Sequence, residues 1–179
     1  RIADSDVFIA TPVEAPTTES LLVAPLMRPV VVGTGPAGLF AALKLALSGA
    51  RPLVLERGSK VDERVAKVAA FTRDGALDPE SNIQFGEGGA GTFSDGKLNT
   101  NIHNPRCVTV LEEFVRAGAP EEILWQAKPH IGTDHLTGAV KNIRRKIESL
   151  GGEVRFGTRL ADITLNATNQ LIGITVESE

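Results

Sequence analysis

Val30-Val31-Val32-Gly33-Thr34-Gly35-Pro36-Ala37-Gly38 is the stretch from which the fold is read. Its first three residues are apolar and β-branched, the composition of a strand buried on both faces of a parallel sheet. The glycine-rich six matches G-x-G-x-x-G, and a helical pattern then runs over 36–48 with Lys44 as its one charge. A helix apolar nearly all round is buried on most sides, and Gly49 suits its stop. Leu53-Val54-Leu55 is a second apolar strand ending at Glu56. Pro52 is tolerated at the start of that strand, where it removes no essential ladder bond. The unit is strand–helix–strand, with a right-handed crossover expected.

Each part of the string has a physical role in holding a dinucleotide. Gly33 permits the tight turn out of the strand, Gly35 lets the backbone approach a pyrophosphate, and Gly38 lets the helix pack closely on the sheet. Thr34, Pro36 and Ala37 complete the loop and the first helical turn, whose N–H groups and dipole favour phosphate. Glu56 follows Gly33 by 23 residues, near the roughly 20-residue separation of the acid that accepts ribose hydroxyls. A carboxylate there repels a 2′-phosphate, which disfavours NADP. The competing reading is a ligand-free glycine turn with Glu56 facing solvent. The glycine string alone is weak evidence; the preceding strand, the spacing and the terminal acid carry the assignment.

Outward from this unit, residues 1–28 read as the end of a preceding segment and a linker. The stretch 11–20 is rich in Pro, Thr and Glu without periodicity, and 21–24 reads as a short strand or an apolar contact of that linker. Residues 29–179 read as the N-terminal part of an α/β, Rossmann-type domain with a parallel sheet. Within it, 59–128 is a helical and glycine-rich insertion. It holds a helix over 61–71, a glycine-rich loop over 87–98, a helix over 105–116 capped by Asn104, and a short helix over 121–126. Thr133 or Asp134 is expected to cap a helix reaching Leu150, closed by Gly151-Gly152, with Arg144-Arg145 on its exposed face. A strand over 153–156 follows. Then 160–165 and 171–176 flank a turn as an antiparallel hairpin. With Arg1 at one end and this hairpin at the other, the chain is expected to be a fragment of a longer protein.

Composition excludes some functions. Hydrophobic residues at 42% and charged residues at 23% are ordinary for a globular chain of 179 residues. A net charge of -3 gives no general attraction to nucleic acid or to anionic membrane, so neither is expected as a partner. No apolar run reaches bilayer length, and the N-terminus lacks the regions of a secretion signal. Cys107 is the single cysteine. It excludes an internal disulfide or a Cys-x-x-Cys pair, reads as a small buried helix residue, and suits a reducing cytoplasm.

An ADP-binding turn serves FAD and NAD alike, and the surrounding sequence tilts the choice. Glu56-Arg57-Gly58 resembles the E-R/K-G ending common in flavoproteins. The long insertion differs from the direct strand–helix succession of NAD dehydrogenases. The terminal hairpin resembles the β-meander of flavoproteins of the glutathione-reductase-like superfamily. More specific is Glu87-Gly88-Gly89-Ala90-Gly91-Thr92-Phe93-Ser94-Asp95-Gly96-Lys97-Leu98. It resembles the glycine-rich segment of a family known as uncharacterised FAD-dependent dehydrogenases. His130-Ile131-Gly132-Thr133-Asp134 and the stretch 142–154 are similar to that family as well.

The resemblance covers about 29–179. It implies FAD as cofactor, a domain completed beyond this chain, and hydride transfer from a small-molecule substrate to flavin. It also implies cofactor contacts from Gly89, Gly91, Thr92 and Ser94, beside Arg57 and the first motif. Read without it, the loop's glycines permit close backbone approach and its N–H groups can form an anion-binding concavity; a flexible surface loop is the alternative. No catalytic base is assigned. His130, Asp134, Asp95 and Lys97 are polar candidates beside glycines, with His130 more readily a structural histidine and Asp134 a helix cap. The alternatives to a flavin dehydrogenase are an NAD-binding enzyme or regulatory module, a flavoprotein with structural FAD, and an FAD-dependent RNA-modification factor.

Overall fold

A computed structural model of the chain describes residues 27–100, 102, 104–126 and 128–178. The expected linker over 1–28, with its 21–24 strand, falls almost wholly outside the described residues. Three short strands form one parallel sheet in the order β1 (Val30–Val32), β2 (Leu53–Leu55), β3 (Glu153–Arg155). Val31 stands opposite Val54, and Val54 opposite Val154. α1 (Pro36–Leu47) makes the first crossover. The second is the long excursion through α2 (Val61–Asp74), α3 (Arg106–Arg116) and α4 (Thr133–Ser149). β4 (Thr158–Leu165) and β5 (Leu171–Ser178) then pair antiparallel. The described residues are therefore a mixed α/β fold with a parallel sheet, and the expected meander is represented by two strands.

The core lies between the sheet, α1 and α4. Leu39, Ala42, Leu43 and Ala46 of α1 meet Val31, Val54 and the apolar stripe of α4. That stripe is Leu136, Ala139, Val140, Ile143 and Ile147, a three-to-four spacing that gives a helix one buried face. α3 adds Phe114, whose ring meets Phe40 edge-on at 5.2 Å between centroids. No helix of the described residues is long and apolar enough to cross a membrane.

Four expectations are corrected. Neither Thr133 nor Asp134 caps α4: Gly132 holds that position, and neither side chain makes a capping bond. Asp134 stands instead in the first turn, where its charge favours the helix dipole. Arg144 does not lie on an exposed face, since it is only 8% exposed. It turns inward because a carboxylate from the distant 87–98 loop meets it, a partner that helical spacing cannot reveal. Cys107 is half-buried rather than buried. At α3 the residue before the helix is Pro105 rather than Asn104, though the Asn104 Oδ1 still accepts the Arg106 N–H at 2.9 Å.

Candidate dinucleotide site

β1 turns into α1 through Gly33, whose φ of +89° is unfavourable for any residue with a Cβ. The Gly33 N–H donates to Leu55 O at 2.7 Å and ties the turn to the end of β2. α1 passes so close that a Cβ at position 38 would lie 2.0 Å from Gly33 O. Gly38 is thus the packing glycine. Gly35 precedes the helix in extended conformation, and a Cβ there would meet nothing within 4 Å. The turn is open on that side, where the positive end of the helix dipole lies. Pro36 has no N–H, and the Leu39 N–H is taken by Gly35 O. Ala37 and Gly38 remain as first-turn donors.

Glu56 is buried, at 5% exposure, and not turned to solvent. Its Oε2 accepts the Thr34 N–H at 2.8 Å and the Thr34 hydroxyl at 2.6 Å, while Oε1 accepts the Gly58 N–H at 2.8 Å. Thr34 thereby braces the acid from below. The Glu56 main chain is also engaged: its N–H donates to Arg155 O, and its carbonyl accepts the Thr158 N–H. Carboxylate oxygens have about four lone-pair sites, so ribose hydroxyls can still be accepted on the side where Glu56 borders open space.

The second glycine segment is held from behind by buried charge. Arg64 on α2 has no exposed surface. Its Nε donates to Asn82 O at 2.8 Å, Nη1 to Glu87 O at 2.8 Å and Gly89 O at 2.7 Å, and Nη2 to Ile83 O at 2.6 Å. The guanidinium lies over the Phe93 ring, 4.7 Å from its centroid. Burial pushes its pKa down to about 10, against the pull of Glu56 and Glu87. Glu87 is equally buried: Oε2 accepts the Val61 N–H at the start of α2 at 2.7 Å, and Oε1 accepts Arg144 Nε at 2.6 Å. Burial works to lower the Arg144 pKa, but Glu87 and Glu148 outweigh it and hold the group above its ordinary value.

These bonds bring the two glycine segments into contact. The Gly88 N–H donates to Thr34 O at 2.9 Å. A Cβ on Gly89 would lie 3.1 Å from both Gly35 Cα and Pro36 Cδ. The loop is not featureless: Ala90–Phe93 forms a 3-10 turn. Ser94 braces it, donating its hydroxyl to Gly91 O at 2.7 Å. Thr92 is buried, with its hydroxyl unpartnered among the described residues.

Between these parts lies an open cleft of about 430 Å³. Of the residues predicted from sequence, Gly33, Gly35, Glu56, Arg57 and Gly89 line it. Pro36, Ala37 and Gly38 form the helix start behind it. Thr34, Thr92 and Ser94 support its walls, and Gly91 is exposed on the 3-10 turn. Gln84, Phe85, Thr158 and Arg159 also line the cleft, and none of these was a candidate from sequence; Gly86 and Leu160, read there only as a loop glycine and a hairpin residue, line it as well. Phe85, an apolar residue beside Gly86, was the one local signal for the 84–86 side. The rim arginines are neutralised. Arg57 donates twice to Glu80 at 2.8 Å, lies over Phe85 at 4.6 Å, and is raised in pKa by Glu80; Arg159 is raised likewise by Glu177. Asp95 and Lys97 pair with each other at 2.7 Å, and they, His130 and Asp134 are exposed and do not line the cleft.

No protein-family model matches the chain. An uncharacterized protein from Clostridium beijerinckii is 54% identical over 164 residues, covering 92% of this chain and 31% of that protein. The chain thus spans about a third of the length of the relative it matches. Among solved structures, THI4 from Thermovibrio ammonificans is similar over 83% of this chain and 46% of its own, with 20% identity and a TM-score of 0.51. The 3-ketosteroid-delta4-(5alpha)-dehydrogenase from Rhodococcus jostii, solved with 4-androstene-3,17-dione, is similar over 84% of this chain and 42% of its own. Its identity is 15% and its TM-score 0.53. Both likenesses concern the fold.

Proposed function

We propose that this chain holds the ADP half of FAD in the cleft, and that the protein carrying it is an FAD-dependent oxidoreductase acting on a small-molecule substrate. The observation that carries the reading is the meeting of Gly35, Gly89 and Glu56 around one cleft. The open side of Gly35 and the start of α1 suit a pyrophosphate. Glu56 suits ribose hydroxyls, and Val32, Leu55 and Leu160 give an apolar wall that suits adenine. Gly89 and Gly91 serve by their main chain, with Thr92 and Ser94 holding that segment in shape. Bound FAD would supply the redox chemistry, while the protein orients and tunes it.

The resemblance to FAD-dependent dehydrogenases supports FAD over NAD. In this reading 29–179 is the N-terminal part of the FAD-binding domain, in a protein of the cytoplasm. The test is the visible absorption spectrum of the intact protein, followed by chromatography of what it releases on denaturation. A yellow protein releasing FAD is the expected result. Released NAD would move the reading to a plain dinucleotide enzyme, and a colourless protein that takes up neither would sink it.

A further inference from the structure

Arg64 is a buried cation directly behind the second glycine segment, whose main-chain carbonyls it holds. We infer that Arg64 is a positioning residue for the anion-facing wall of the cleft. It gathers the carbonyl oxygens of Asn82, Ile83, Glu87 and Gly89 to one point behind the segment, so that the wall does not present them to a phosphate. The inference rests on the reading that the cleft takes a diphosphate.

Phosphate oxygens are repelled by carbonyl oxygens and attracted by amide N–H groups. In a planar trans peptide these two ends point in opposite directions. A carbonyl turned towards Arg64 therefore turns the following N–H away from it. After Glu87 this is seen directly, because the Gly88 N–H reaches across to Thr34 O at 2.9 Å. Gly89, whose carbonyl Arg64 holds at 2.7 Å, itself lines the cleft.

The residue type matters. A guanidinium offers five donors in a fixed planar fork, an ammonium only three on a flexible stem. Covering four carbonyls from three nitrogens needs the fork. The charge matters as well. The hydrogen-bond acceptors of Arg64 are all main-chain carbonyls, while Glu56 and Glu87 act on it only through space. Coulomb energy in a poorly hydrated site is several times that in water, so an anion in the adjoining cleft and this cation stabilise each other.

The intact protein, stripped of cofactor, would be titrated by calorimetry with ADP and with adenosine, as wild type, Arg64→Lys and Arg64→Met. Amide exchange over 82–92 would be followed in the same samples without ligand. For Arg64→Met, ADP affinity is expected to fall by about tenfold or more while adenosine affinity changes by less than about threefold. Amides over 86–92 should exchange faster. Arg64→Lys keeps the charge but not the fork, and should fall between; if Arg64→Met does not fold, Arg64→Lys carries the comparison. Equal losses for ADP and adenosine, or no loss for either, overturn the inference. Wild-type protein that binds neither ADP nor FAD overturns the diphosphate reading beneath it.

Discussion

At position 38 a single methyl group decides whether α1 can lie against β1. With Gly33 O only 2.0 Å from where a Cβ would stand, the helix must move or the turn must open. Gly38→Ala is expected to cost about 1–3 kcal/mol, the range for overpacking a tight contact, read from the urea midpoint. An unchanged midpoint would mean that the contact yields freely. Glu56 is the second decisive residue. Glu56→Gln keeps its shape but brings an NH2 group against the donors of Thr34 and Gly58, so one of those bonds must go. A stability loss of about 1–3 kcal/mol is expected, as for a buried donor left unsatisfied. On the reading that the cleft takes FAD, affinity for it should weaken as well, measurable by flavin fluorescence titration. The place of Glu56 was legible from its 23-residue spacing after Gly33. Its burial under Thr34 was not, because spacing locates an acid along the chain without saying what surrounds it.

The elements differ in how far local sequence determines them. β1, α1 and β2 follow from apolar runs, helical periodicity and glycines at their ends, and the structure places them within a residue of the reading. The insertion between β2 and β3 is organised differently, by side chains reaching main-chain groups far along the chain. Arg64 serves the 82–89 segment, and Glu87 joins the start of α2 to the middle of α4. Such bonds have no period, which is why Arg144 was misread as a surface residue. Removing Arg144 leaves the fully buried Glu87 carboxylate without its ion-pair partner. Arg144→Met should therefore destabilise by about 3–5 kcal/mol, with much of this recovered when Glu87 is also replaced by Gln. A double-mutant cycle in urea measures this, and strictly additive losses would contradict it.

A weaker tie fastens the loop after α2. The Lys67 ammonium at 2.7 Å, with the Glu80 and Ser81 N–H groups, holds the Asp78 carboxyl below its ordinary 3.8. A depressed carboxyl pKa stabilises the fold above the unfolded value and ceases to do so as pH falls through the folded one. Wild type and Asp78→Asn should thus differ in urea midpoint at about pH 6 and converge towards about pH 3. Because both side chains are still about a third exposed, solvent screens the pair and the difference should be small.

On the scale of the whole molecule, the cleft has walls of unequal firmness. One is the sheet and α1, which share the main core; the other is the β4–β5 hairpin, which contributes no residue to that core. The hairpin is fastened at its foot, where the Thr158 N–H meets Glu56 O at 2.9 Å and the Gly157 N–H meets Gly58 O at 3.3 Å. Hydrogen exchange should find the slowest amides in α1, β2 and α4, with the hairpin opening earlier. Adding ADP should slow exchange at 158–160 while leaving the 166–170 turn unchanged. Uniform exchange across hairpin and core would show a single cooperative unit instead. The hairpin itself was legible in its alternating strands; its service as a cleft wall was not, since that depends on where its foot is tied. That foot gives Glu56 the standing of a keystone. Its side chain locks the first glycine turn, its main chain joins the outer strand to the hairpin, and its free edge faces the cleft. A builder cannot recut such a stone for a new tenant and leave the arch untouched: any change made at this position to alter what the cleft accepts loosens the vault around it.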